Sequence, residues 1–213
     1  MDAWRLRIEA CLKRASARRT RALFAESNPH LVGDRLFEAR WASPCVDAAV
    51  LIPIIGRAEP TVLLTLRSPD MPSHAAEISL PGGRLHGDEG AVAAALREAF
   101  EEANIAPEFI TVLGALGVHK GGIGYSVTPV VGLVDPKADI RPCPREVAEI
   151  FEVPLAHIAD LKNHYMEEKI LEGVAYNMFA ADWGRFHIWG LTAGILRTLA
   201  EALDDAGGDA AAE

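Results

Sequence analysis

Glu98, Glu101 and Glu102 stand at i, i+3 and i+4 in the stretch REAFEEAN, Arg97 to Asn104. At 3.6 residues per turn, all three project from one face of a helix. Like charges at that spacing cost an isolated helix about 0.2–0.5 kcal/mol per pair. Two readings of such a cluster compete. One is a solvated acidic face, and the other is a cation that turns repulsion into coordination.

The flanking residues separate them. The string GRLHGDEGAVAAALREAFEEANI satisfies G-x5-E-x7-R-E-x-x-E-E-x-x-I, with Gly83, Glu89, Arg97, Glu98, Glu101 and Glu102 in the fixed places. A chance match anywhere in the chain is rarer than roughly one in ten thousand at ordinary residue frequencies. This string resembles the signature of the Nudix hydrolases. The resemblance implies an α/β fold, a Nudix-type α/β/α sandwich with a mixed sheet and additional helices at both termini. It also implies a metal-dependent pyrophosphohydrolase that uses Mg²⁺ or Mn²⁺.

The chemistry agrees with the residue types. Attack on an already anionic diphosphate is slow until cations neutralise it and activate water. Mg²⁺ takes hard oxygen ligands and keeps several waters, so a few carboxylates suffice. By the resemblance, Glu98, Glu101, Glu102 and the backbone at Gly83 are the metal ligands. Gly82 and Glu89 are structural, and Arg97 pairs with Glu89 and orients the carboxylates. Asn104 replaces the family's glycine at the helix end, and Asn is the next best residue for a left-handed cap.

Segments outside this string are similar to the coenzyme A pyrophosphatase branch: LLTLRS, HAAEISLPGG, GYSVTPVVG, EVAEIFEVPL and WGLTAGIL. That likeness implies cleavage of CoA or a CoA thioester to 3′,5′-ADP and (acyl-)phosphopantetheine. Three positions depart from the branch pattern: Pro72 for Arg, Ala76 for Gly and Leu80 for Phe. A missing Arg removes a bidentate phosphate contact that Pro cannot supply. ADP-ribose, NADH and nucleoside triphosphates are therefore the alternative substrates, and a non-catalytic nucleotide-binding module is the alternative class. Arg67 is read either as a phosphate contact or as a surface arginine. Glu146 is a metal ligand or general base, or else a solvated loop residue. Tyr125 stacks on adenine or packs in the core.

Other function classes are excluded more simply. With a formal charge of −9, the chain is unsuited to general nucleic-acid binding. Cys11, Cys45 and Cys143 lie far apart, which argues against a disulfide framework or thiolate zinc site and suits a cytoplasmic location. No apolar run reaches the ~18–20 residues of a membrane span. His74, His119, His157, His164 and His187 show no metal-ligand spacing, and GGIG (121–124) reads as a hairpin turn.

Residues 1–45 read as an N-terminal helical extension with a basic face, followed by a linker. The catalytic domain spans 46–203, and 204–213 reads as a disordered acidic tail. Ala48–Ile55 and Thr61–Ser68 suggest a hairpin, with Pro53 pointing to an edge or bulged position. A helix is expected from Asp88 to Ala103. The segment HIWGLTAGILRTLAEAL reads as a C-terminal helix serving as core or as an oligomer face, the latter compatible with a homodimer.

Overall fold

The computed structural model describes residues 2–15, 21–32, 45–71, 73–120, 124–171 and 173–210. The described residues form two sheets and five α-helices. Helix α1 (Asp2–Ala15) and the short α2 (Leu23–Ser27) precede strands β1 (Val46–Ile55), β2 (Thr61–Arg67), β3 (Ile78–Ser79) and β4 (Gly82–Arg84). Helix α3 (Ala91–Ala103) follows, then β5 (Ile110–Ala115), β6 (His119–Lys120), β7 (Tyr125–Val134) and β8 (Val147–Pro154). The chain continues through α4 (Leu155–Ala159), β9 (His164–Leu171), β10 (Val174–Trp183), β11 (Phe186–Trp189) and α5 (Gly190–Ala210). Strands β1 to β8 form one mixed sheet, and β9 to β11 form an antiparallel second one.

The apolar run of β1 is buried on both faces, as a central strand requires. Its alternate residues Ala48, Ile52 and Ile54 enter a core with α1 and α5, contributed there by Ile8, Cys11, Leu12, Leu196 and Leu199. Ala49, Leu51 and Ile55 face α3, whose Ala94, Ala95, Ala99 and Ala103 let helix and sheet approach closely. The result is the expected α/β/α sandwich.

Pro53 does not place β1 at an edge. The strand is central, parallel to β7 along its whole length and flanked on the other side by β4 and β2. The amide of Leu51 points to that second side, bonding Pro81 O at 2.8 Å. By strand alternation the nitrogen of Pro53 points the same way. It meets the seam where pairing passes from β4 (residues 48–50) to β2 (residues 54–55), so no ladder bond is lost there.

Two helix boundaries differ from those expected. Helix α3 starts at Ala91 with Gly90 as its N-cap, so Asp88 and Glu89 stand outside it. Phe186–Trp189 pairs with β10 as a strand, and α5 begins only at Gly190, whose φ of 65° breaks the strand. The backbone of α5 continues through Ala210, into the segment read as tail; residues 211–213 lie outside the described set.

The apolar side of α1 packs on α5 and β5, and Arg7 donates to Leu203 O from within that contact. Arg21 anchors the following segment, bonding Glu26, Glu201 and Thr198. Thr198 Oγ1 also lies 2.9 Å from Nε2 of the fully buried His119, whose pKa burial pushes down to about 4. Among the described residues, no helix is long and apolar enough to cross a membrane.

Candidate active site

Strand β4, the loop 85–90 and α3 build the site. A Cβ at Gly83 would collide with the Glu98 carboxylate, and one at Gly82 would collide with the backbone of Ala49 and Val50. Gly82 therefore requires glycine, because β4 lies against the β1 backbone, and Gly83 must be glycine for Glu98 to keep its observed position. At its far end α3 closes on Asn104 in the left-handed conformation, φ 55° and ψ 27°. Its side chain donates to Asp139 O at 2.7 Å. The expected Asn cap is thus formed and held by a neighbouring loop.

Arg97 is the hub. Its Nε and Nη2 donate to the two oxygens of Glu89, each at 3.0 Å. Nη1 reaches Glu98 Oε1 at 2.7 Å and Glu101 Oε2 at 3.1 Å, and Nη2 also donates to Arg84 O at 3.0 Å. The loop, the strand end and the helix are thereby locked to one guanidinium. Its hydrogen bond to Arg97 holds the Glu89 carboxyl below the usual range, and the same bond raises Arg97 further.

Glu102 is the most deeply buried of the three carboxylates, only 2% exposed. Burial pushes its carboxyl up to about 8; the nearby charges of Glu98 and Glu146 add to the rise, and Arg67 and the Gly82 backbone oppose it. Arg67 Nη1 lies 3.5 Å from Glu102 Oε1. Glu102 Oε2 and Arg67 Nε are both buried without a hydrogen-bond partner. Arg67 is therefore not a surface arginine: it ends β2 at a bulge and turns into the acidic cluster. Glu146 arrives at the same place because its carbonyl takes the Ser68 amide at 2.8 Å, next to the pairing of Arg67 with Val147.

Among the described residues, no three His, Cys, Asp or Glu side chains already converge as metal ligands. Arg97 draws Glu98 and Glu101 aside, while Glu102 faces Arg67. The donor set nonetheless fits a hard divalent cation. It is all oxygen, it lies along a rigid helix, and it contains one buried carboxylate oxygen that no protein group satisfies.

The NUDIX domain model matches residues 46–172. The chain belongs to the Nudix family. The uncharacterized Nudix hydrolase NudL of Escherichia coli K12 is 41% identical over 154 residues, covering 72% of this chain and 80% of that protein. Its counterpart in Shigella boydii is 40% identical over the same shares. Among solved structures, the MutT protein from Methanosarcina mazei Go1 superposes with a TM-score of 0.50 at 20% identity, covering 78% of this chain and 97% of that one. It supports the fold. This Nudix chain is accordingly a hydrolase of pyrophosphate-containing substrates.

Within the Nudix frame, the structure gathers Gly82, Gly83, Glu89, Arg97, Glu98, Glu101, Glu102, Arg67 and Glu146 around one end of the sheet. Tyr125 is placed differently. Its hydroxyl accepts from Arg84 Nε at 3.2 Å and Nη2 at 2.8 Å, and the Arg84 guanidinium lies 5.5 Å from its ring centroid. Arg84, which directly follows the two glycines, is a site residue that its sequence position alone does not signal. Of the three departures from the branch pattern, Leu80 is buried core and Ala76 has φ 58°, while Pro72 lies outside the described residues.

Proposed function

We propose that the protein hydrolyses the diphosphate of CoA or a CoA thioester, releasing 3′,5′-ADP and (acyl-)phosphopantetheine. The observation that carries the hydrolytic part is the buried, partly unsatisfied Glu102 beside Arg67, in a ring of acids braced by Arg97. The CoA part rests on the segments flanking it, from LLTLRS to WGLTAGIL.

Glu98, Glu101, Glu102 and the Gly83 carbonyl would hold Mg²⁺ or Mn²⁺. Bound there, the ion neutralises the diphosphate and makes water acidic enough to attack at neutral pH. Arg97 holds Glu98 and Glu101 by ion pairs on the face they share with Glu102, and releases their oxygens when a cation takes its place. Arg67 offers its guanidinium to a phosphate oxygen from the other side of Glu102. Glu146 accepts the proton of the attacking water. An O–P bond forms as the bridging P–O bond breaks, and the bridging oxygen departs with the electron pair.

The test incubates the protein with Mg²⁺ or Mn²⁺ and, separately, CoA, acetyl-CoA, ADP-ribose, NADH and dGTP, and identifies products by mass. Release of 3′,5′-ADP from CoA is expected. Cleavage of only another compound would transfer the site to that substrate, and no turnover on any would favour a nucleotide-binding module.

A further inference from the structure

Arg84 is the unpaired arginine of the site. Arg67 and Arg97 are both matched to glutamates, whereas no carboxylate lies within ion-pairing distance of Arg84 among the described residues. Its polar side-chain partner is the Tyr125 hydroxyl, a neutral group, and its side chain is exposed. Nε and Nη2 share that one acceptor, which fixes the side edge of the guanidinium. Nη1 takes no part in that contact and makes no hydrogen bond among the described residues. An oriented, uncompensated guanidinium on a chain of net charge −9 suits an anion, and its planar fork suits phosphate.

Register says which anion. Gly83 pairs with Ala49 and faces α3, where its missing Cβ makes room for Glu98. Arg84 pairs with Ala48, whose side chain belongs to the opposite core, and Tyr125 packs on that same core. Strand alternation thus sends the Arg84 side chain to the other face of the sheet margin from the carboxylates. Its backbone carbonyl, meanwhile, stays bonded to Arg97. A diphosphate held at Glu98 and Glu102 would not also occupy Arg84, but a nucleotide lying across the margin could reach both.

We propose that the Arg84 guanidinium, held by Tyr125, binds a second phosphate of the substrate, a monoester remote from the diphosphate that is cleaved. The inference rests on the proposed function for its substrate class. Tyr125 is then a positioning residue, since Arg84 lies over its ring, and adenine stacking is not its role.

Equilibrium binding of 3′,5′-ADP and 5′-AMP by calorimetry tests this without turnover. The unaltered protein is expected to prefer 3′,5′-ADP by about tenfold or more, the worth of one charge-assisted phosphate contact. Arg84→Gln should abolish the preference, Arg84→Lys should keep part of it, and Tyr125→Phe should weaken it. Equal affinity for the two nucleotides, no detectable binding of 3′,5′-ADP, or a preference that survives Arg84→Gln overturns the proposal. If the preference holds but CoA is not cleaved, the anion site stands and the CoA reading falls. If CoA is cleaved without such a preference, the reverse is true.

Discussion

Arg97 and Glu89, eight residues apart, meet in a two-pronged ion pair with both N–O distances at 3.0 Å. The pair joins the loop to the helix and leaves Nη1 to orient Glu98. A lysine can keep the charge but not the fork. Arg97→Lys should therefore lower kcat by about 10- to 100-fold, the usual cost of losing a group that orients metal ligands. Steady-state kinetics with saturating Mn²⁺ would check it; a loss confined to KM would assign Arg97 to substrate binding.

Gly83 sets a separate constraint. A methyl group there would displace the Glu98 carboxylate. Gly83→Ala is expected to cut turnover by about a hundredfold or more, as misplacement of a catalytic group by roughly 1 Å can do. The circular dichroism spectrum should stay that of the parent. Retained activity would mean that Glu98 can leave its observed position without consequence.

Burial of Glu102 makes stability depend on pH. Its folded pKa, about 8, lies above that of an ordinary carboxyl. The folded state then binds more protons than the unfolded state over this interval, so stability is greatest at the acid end and is lost as pH rises through about 8. In chelator, urea midpoints should fall from about pH 5 to about pH 8 in the parent, and much less in Glu102→Gln. Buried His119, held neutral with a pKa near 4, acts in the opposite sense below about pH 6.5, so the comparison between variants isolates Glu102. Identical slopes would show that the group is ordinarily ionised. The same variant should lose turnover by orders of magnitude if Glu102 holds the cation.

Ala76 occupies left-handed backbone, φ 58°, where an L residue with a Cβ is disfavoured by roughly 1–2 kcal/mol. Glycine relieves that strain but gives the unfolded chain more freedom. Ala76→Gly should thus stabilise by a few tenths to about 1 kcal/mol in urea unfolding. Destabilisation would show that the methyl group makes contacts worth more than the strain.

The helix face was legible because its signal is local: Glu98, Glu101 and Glu102 share a face by spacing alone, and Asn104 caps as its side chain allows. Glycines 82 and 83 were legible as motif members, but the clash they avoid depends on β1 and α3 meeting there. Long-range placement was not written in any window. Arg67 enters the acidic cluster only because a bulge at the end of β2 turns it inward. Pro53 was misread because the seam between β4 and β2 is a property of the assembled sheet. Strand β9, HYMEEKIL, escaped notice since an edge strand with mixed exposure carries no clean alternation. Arg84 is not legible in any sequence window because its meaning lies in the absence of an acidic partner among the described residues.

The layer formed by α1 and α5 has a consequence for the smallest piece of this chain that can fold. The family match ends at residue 172, yet Ile8, Leu12, Leu196, Leu199 and Leu203 cover one whole side of the sheet. A fragment trimmed to the matched segment would strip Ile52 and Ile54 of those core partners. The packed unit is therefore larger than the matched segment: the acidic cluster sits near the middle of the chain, and α1 and α5 together roof the sheet that carries it.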